Sequence, residues 1–207
     1  MVPGPEYYWH ATPLQFLPAI LSEGTLRASA NPRPTALARR RKLGLEGFVH
    51  LAFSSMTPLL TDKRQRGYPH ALLAFVPETA TLPGAGYLKW NTKRWAHRDE
   101  FLPITDPDAK SAFLSDWSSG KYPSAELLLT KTLDLTYAAG LYLASRAEAD
   151  WLLGFDPALA SFSTPPMAIS PERFPPGPQP DLAALHIWRE ACLVAGELLL
   201  PPELPFD

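Results

Sequence analysis

Few side chains in these 207 residues stand in patterns suited to reaction chemistry. His10 and Thr12 lie two apart in Tyr7-Tyr8-Trp9-His10-Ala11-Thr12, so an extended backbone turns both to one face. Glu126 opens Glu126-Leu127-Leu128-Leu129-Thr130 as a lone carboxylate ahead of three leucines. A carboxylate in apolar surroundings is what stabilising a developing positive charge requires. Arg39, Arg40 and Arg41 form a basic run with Lys42. Further on, Tyr87, Trp90 and Trp95 alternate with Lys89, Lys93, Arg94, His97 and Arg98. Aromatic faces stack bases while cations follow phosphates, which is the recipe for binding single-stranded nucleic acid. Each feature also has a plain structural reading. A histidine at a strand end is usually a packing residue, a basic run a solvated helix face, and a tryptophan a core anchor.

Other chemistries are excluded. There is no Gly-x-Gly-x-x-Gly, phosphate-binding Walker loop, His-Glu-x-x-His or Gly-x-Ser-x-Gly. The five histidines never fall three or four apart, which argues against a local metal chelate, and the single Cys192 allows neither an internal disulfide nor a cysteine-based zinc site. The net charge of −2 hides a division. Residues 1–100 hold 13 Lys/Arg against 7 Asp/Glu, and the remainder 6 against 14, so a polyanion would meet the first half. The chain shows neither a membrane-length apolar run nor a leader pattern at Met1, and the expected location is the cytoplasm.

The elements that must position these groups read as a mixture of strands and helices. Tyr7–Thr12, Val49–Phe53, Ala71–Val76, Glu126–Thr130 and Gly140–Ala144 carry strand patterns. A helix is expected from about Leu17, with Pro18 in its first turn and Gly24 as its stop; another covers Ala147–Leu153. Residues 77–123 look irregular. The prolines of 157–180 predict a connector without regular structure, and Asp181 an N-cap for a helix from Leu182 to about Leu198. Strands and helices do not alternate regularly, so an α+β fold is expected rather than a doubly wound parallel sheet.

Three segments carry a family resemblance. Tyr8-Trp9-His10-Ala11-Thr12, followed by Leu17-Pro18-Ala19-Ile20-Leu21 and Gly24, resembles the His-x-Thr…Leu-Pro-x-Ile-Leu…Gly opening of DarT-type ADP-ribosyltransferases. These are toxins of bacterial toxin–antitoxin pairs that attach ADP-ribose from NAD to bases in single-stranded DNA. The segment from Val49 to Leu59 resembles that family's Val-Pro-Phe-Tyr-Phe-Ser-Pro-x-x-Pro-Met-Leu stretch, with Leu51-Ala52 in place of the aromatic pair. Ser124-Ala125-Glu126-Leu127-Leu128 resembles its Gln-Ala-Glu-Phe-Leu catalytic strand. The motifs keep the family's order across roughly residues 7–150.

The resemblance implies a catalytic core over residues 1–156, built of two packed, mainly antiparallel sheets with flanking helices. The resemblance does not reach residues 157–207, which on their prolines and helix pattern would form a connector and a C-terminal helix packed on the core. NAD+ would be the substrate, without a metal. Glu126 would be catalytic, with Arg40 and Arg41 as candidates beside it. His10, Ala11, Thr12, Ala19, Gly24, Arg27 and Arg39 would hold the cofactor. Lys89, Trp90, Lys93, Arg94, Trp95 and Arg98 would take the nucleic acid. An antitoxin partner would follow from the family's biology. RNA or protein as acceptor, a non-catalytic single-strand-binding module, and a scaffold presenting its proline-rich segment stand as alternatives.

Overall fold

The computed structural model describes residues 4–28, 44–90, 102–155 and 165–202. Its frame is a seven-stranded sheet in the order β5-β6-β3-β1-β4-β8-β9. The strands are β1 (Tyr8–Pro13), β3 (Phe48–Ala52), β4 (His70–Phe75), β5 (Gly86–Leu88), β6 (Glu126–Thr130), β8 (Ala138–Leu143) and β9 (Met167–Ile169). All neighbours run antiparallel except β8 and β9. A second sheet pairs β2 (Thr25–Arg27) with β7 (Thr132–Asp134). Five α-helices accompany them among the described residues: α1 (Leu17–Glu23), α2 (Pro58–Gln65), α3 (Pro107–Ser118), α4 (Arg146–Leu153) and α5 (Ala183–Ala195). The architecture is α+β.

Period-2 alternation sorts the large sheet into two faces. Tyr8, Leu51, Leu73, Leu127 and Leu141 turn to the main core, with Leu14, Leu17 and Leu21 packed against them. Trp9, Leu72 and Ala74 turn to the opposite face, where Leu60 and Phe174 cover them. Every residue of β4 is buried, as its unbroken apolar run requires of a strand covered on both faces.

β1 is the pivot of the sheet. It pairs with β4 along its whole length, from Tyr8↔Phe75 to Pro13↔His70, but with β3 only at Trp9↔Ala52. The sheet therefore divides beyond Trp9 into a β5-β6-β3 half and a β1-β4-β8-β9 half.

Besides the short strands β2, β5 and β7, three segments differ from the sequence reading. Residues 107–118 are helical: the Asp106 carboxylate accepts from Ala109 N–H at 2.8 Å, and Pro107 sits in the first turn. Phe113 alone is buried on that helix, so its polar sequence carries little apolar periodicity. β9 lies within the proline-rich stretch and extends the sheet beside β8, with Leu141↔Met167 in register. It is an edge strand, where prolines just before it cost no ladder bond. α5 begins at Ala183 and stops at Gly196, whose φ of 72° closes it before Leu198. The Asp181 carboxylate accepts from Ala183 N–H at 2.9 Å, one residue earlier than a standard cap. Leu185, Trp188 and Cys192 seat α5 on the core, where the Trp188 and Trp151 rings stack 6.1 Å apart.

His70 gives the fold a pH signature. It opens β4 and is buried, donating from Nδ1 to the Tyr68 carbonyl at 3.2 Å. Burial pushes its pKa down from 6.5 to about 4; the Tyr68 bond opposes this, and the Lys63 and Arg64 charges add to it. The unfolded chain then binds the extra proton between those values. The contribution is present above pH 6.5 and is lost as pH falls towards 4, about 3 kcal/mol in all. Urea unfolding of the wild type and His70→Leu from pH 7 to 4 should show stability profiles diverging by that amount. Parallel profiles would refute the assignment.

Candidate active site

The register carries Glu126 to the division in the sheet. Leu88, Glu126, Ala52, Trp9, Ala74 and Gly140 oppose one another across six strands and share a face. Ala52 is small, so the Glu126 side chain has room beside it. Two residues before Ala52, His50 rises on the same face. Its Nδ1 lies 2.8 Å from Glu126 Oε2, with the two side chains 12% and 17% exposed.

His50 also bridges the gap. His10 Nδ1 lies 3.1 Å from the His50 carbonyl oxygen. A carbonyl only accepts, so His10 carries its proton on Nδ1. The link His10 to His50 to Glu126 thus crosses from β1 to β6 where β1 and β3 no longer pair. His50 Nε2 is buried and has no hydrogen-bond partner, which leaves a polar atom at the site still to be satisfied.

Apolar walls flank this group. On one side stand Trp9, Leu60, Leu72 and Phe174; on the other Leu45, Leu88 and Leu128, joined by Phe48 and Trp90. Walls of this kind lower the local dielectric and strengthen the field of the carboxylate between them.

The other expected residues fall in several places. Ala11 opposes Leu72 and is half-buried beside His10. Thr12 is turned inwards, 3% exposed, with its hydroxyl 3.5 Å from the Pro13 carbonyl. Ala19 is exposed on α1. Gly24 takes φ 66° to cap that helix, and its carbonyl accepts from Leu135 N–H at 2.9 Å. Arg27 is paired with Glu23 at 2.7 Å on the surface. Lys89 and Trp90 follow β5 directly, with Lys89 Nζ over the Tyr122 ring and Trp90 edge-on to it. Arg39, Arg40, Arg41, Lys93, Arg94, Trp95 and Arg98 lie outside the described residues. His50 was missed by the sequence reading. Its one signal was a histidine inside the apolar strand Val49-His50-Leu51-Ala52-Phe53. Among the described residues, no three His, Cys, Asp or Glu side chains gather as a metal site, and no helix is long and apolar enough to cross a membrane.

No family model matches the sequence, and no curated protein matches it. Solved structures do match the fold. DarT of Thermus sp. 2.9 in complex with NAD+ superposes with a TM-score of 0.62 at 17% identity, covering 84% of this chain and 100% of that one. The same protein in complex with ADP-ribosylated single-stranded DNA gives 0.62 at 15%, with the same coverage. DarTG of Thermosipho africanus in complex with ADP-ribose gives 0.58 at 16%, covering 82% of this chain and 51% of that one. The chain has the fold of these proteins.

Proposed function

We propose that this protein is a mono-ADP-ribosyltransferase that cleaves NAD+ and transfers ADP-ribose to a base of single-stranded DNA. The observation that carries the reading is the Glu126–His50–His10 group at the division of a sheet folded like DarT. The three ordered sequence motifs support it, as do the NAD+ and ADP-ribosylated DNA bound by the structures of similar fold.

The chemistry follows from the geometry. The bond between nicotinamide and ribose breaks, its electron pair leaves with nicotinamide, and positive charge builds on the ribose. A ring or exocyclic nitrogen of the base then attacks the ribose carbon and gives up its N–H proton to water. His50 holds Glu126 Oε2, which leaves Oε1 to accept from a ribose hydroxyl and to face the developing charge. The apolar walls keep water from competing as the nucleophile. His10 and the Ala11 backbone stand beside this centre as cofactor contacts, and one arginine of 39–41 serves the diphosphate or the acceptor base. An antitoxin is the partner such an activity calls for, and DarTG is the supporting parallel. Cytoplasm, where NAD+ and DNA meet, is the proposed location.

Incubating the protein with NAD+ and oligonucleotides covering the four bases should raise the mass of a single-stranded DNA by one ADP-ribose. Labelling of RNA or protein instead would move the acceptor. The absence of any nicotinamide release would overturn the reading.

A further inference from the structure

Six arginines lie among the described residues, and five face carboxylates: Arg27 with Glu23, Arg64 with Glu148, Arg66 with Asp62, Arg146 with Asp150, and Arg189 with Glu190. Among the described residues Arg173 has no acidic partner. Its guanidinium instead lies over two rings, 5.2 Å from the centre of Trp9 and 4.6 Å from that of Tyr142. Tyr7 meets Trp9 edge-on at 5.9 Å and enlarges the platform.

The segment that carries the cation is also held firmly. Arg173 N–H donates to the Ser170 carbonyl, Phe174 behind it is buried, and β9 before it is bonded to β8. Four residues on from Arg173, Gly177 presses on the backbone of Arg64, so closely that a Cβ there would collide with the Arg64 carbonyl. Fixing an arginine with no internal anion costs electrostatic free energy unless an external anion is its partner.

Its position indicates which anion. Trp9 and Glu126 belong to one register row on one face of the sheet. Arg173 sits over β1 and β8, so about 15 Å separates it from Glu126 at the usual strand spacing. A cation set on aromatic rings without an acidic partner among the described residues, that far along the face from the reacting centre, suits a backbone phosphate of a polynucleotide whose neighbouring base is in the site. We propose that Arg173, on its Trp9–Tyr142 platform, binds a backbone phosphate of the acceptor polynucleotide. The proposal rests on the function proposed above.

The test is binding of a fluorescent single-stranded DNA without NAD+, measured from low to high salt. Arg173→Gln should weaken binding at low salt and make the slope of log K against log salt shallower by about 0.7. Arg173→Lys should keep the wild-type slope. NAD+ affinity, read by calorimetry, should not change. If Arg173→Gln fails to fold, Arg173→Met keeps an unbranched stem between the rings and takes its place. An unchanged slope in a folded, uncharged variant overturns the proposal. A fall in NAD+ affinity with the DNA slope intact overturns it too, assigning the phosphate to the dinucleotide. The two readings fail separately. A wild type that binds DNA with the expected slope but transfers nothing defeats the function alone. Transfer by a wild type whose slope ignores Arg173 defeats this inference alone.

Discussion

Glu126→Gln should reduce the rate of nicotinamide release by about 100- to 1000-fold, the usual cost of removing one group that stabilises transition-state charge. Glutamine keeps the shape of the side chain, and its carbonyl oxygen still accepts from the His50 Nδ1–H. The shape is kept, and the loss is of the negative charge and of the second acceptor, because an amide N–H2 stands where Oε1 stood. The effect should fall on kcat, with KM for NAD+ little altered, because the charge matters most when the ribose becomes cationic. Two changes at His50 separate charge from aim. His50→Leu removes the donor 2.8 Å from Oε2 and leaves the carboxylate free to rotate. It should lower kcat by about 10- to 100-fold. His50→Asn places an amide N–H near the position of Nδ1 and should recover much of that loss. Full activity in Glu126→Gln, measured as nicotinamide release by a folded protein, would remove Glu126 from the mechanism.

The largest effect on stability is expected at Glu148. Its carboxylate is fully buried, pairs with Arg64 at 2.9 Å, and accepts from Ala144 N–H at 3.0 Å and from the Ser145 hydroxyl at 3.2 Å. Ser145 in turn caps α4 by accepting from Glu148 N–H. Glu148→Ala leaves the Arg64 guanidinium in the interior without its counter-charge, a loss of about 3–5 kcal/mol. Arg64 also lies over the Phe174 ring, so the damage reaches the segment bearing Arg173. Glu148→Gln retains an acceptor for Ala144 N–H but loses the charge and turns its amide N–H2 towards the Arg64 guanidinium in place of Oε1. It should lie between wild type and Glu148→Ala in urea unfolding. A loss below 1 kcal/mol in Glu148→Ala would show that Arg64 escapes to water.

The strands and helices with strong local patterns could be read from the sequence. Pro18 at the start of α1 and Gly24 at its end bound that helix correctly. The apolar run from Ala71 identified β4, and Glu126 was placed at the head of β6. β2, β5, β7 and β9 were not legible, because strands of three residues have too little alternation to show. α3 hid behind a polar face, and α5 was read three residues too long because Gly196 was not taken as its stop. The site divides in the same way. Glu126 stood out through its leucine neighbours, whereas its partnership with His50 depends on the pairing of β3 with β6. Those strands are more than seventy residues apart, and no local pattern specifies such a register.

The division of the sheet at Trp9↔Ala52 has a consequence for how the protein comes into being. Its two halves are interlaced along the chain: β1 joins β4 and β8 in one, while β3 waits for β5 and β6 in the other. Neither half is a continuous stretch of sequence, so neither can close before the other is largely made. During synthesis from the N-terminus, His10 and His50 leave the ribosome long before Glu126 does. A chain stopped anywhere ahead of β6 lacks Glu126 and has no second strand to hold β3. Most pairings span distant residues, a topology that folds slowly. The link from His10 through His50 to Glu126 is therefore completed only once β6 has been made, late in the life of each new molecule.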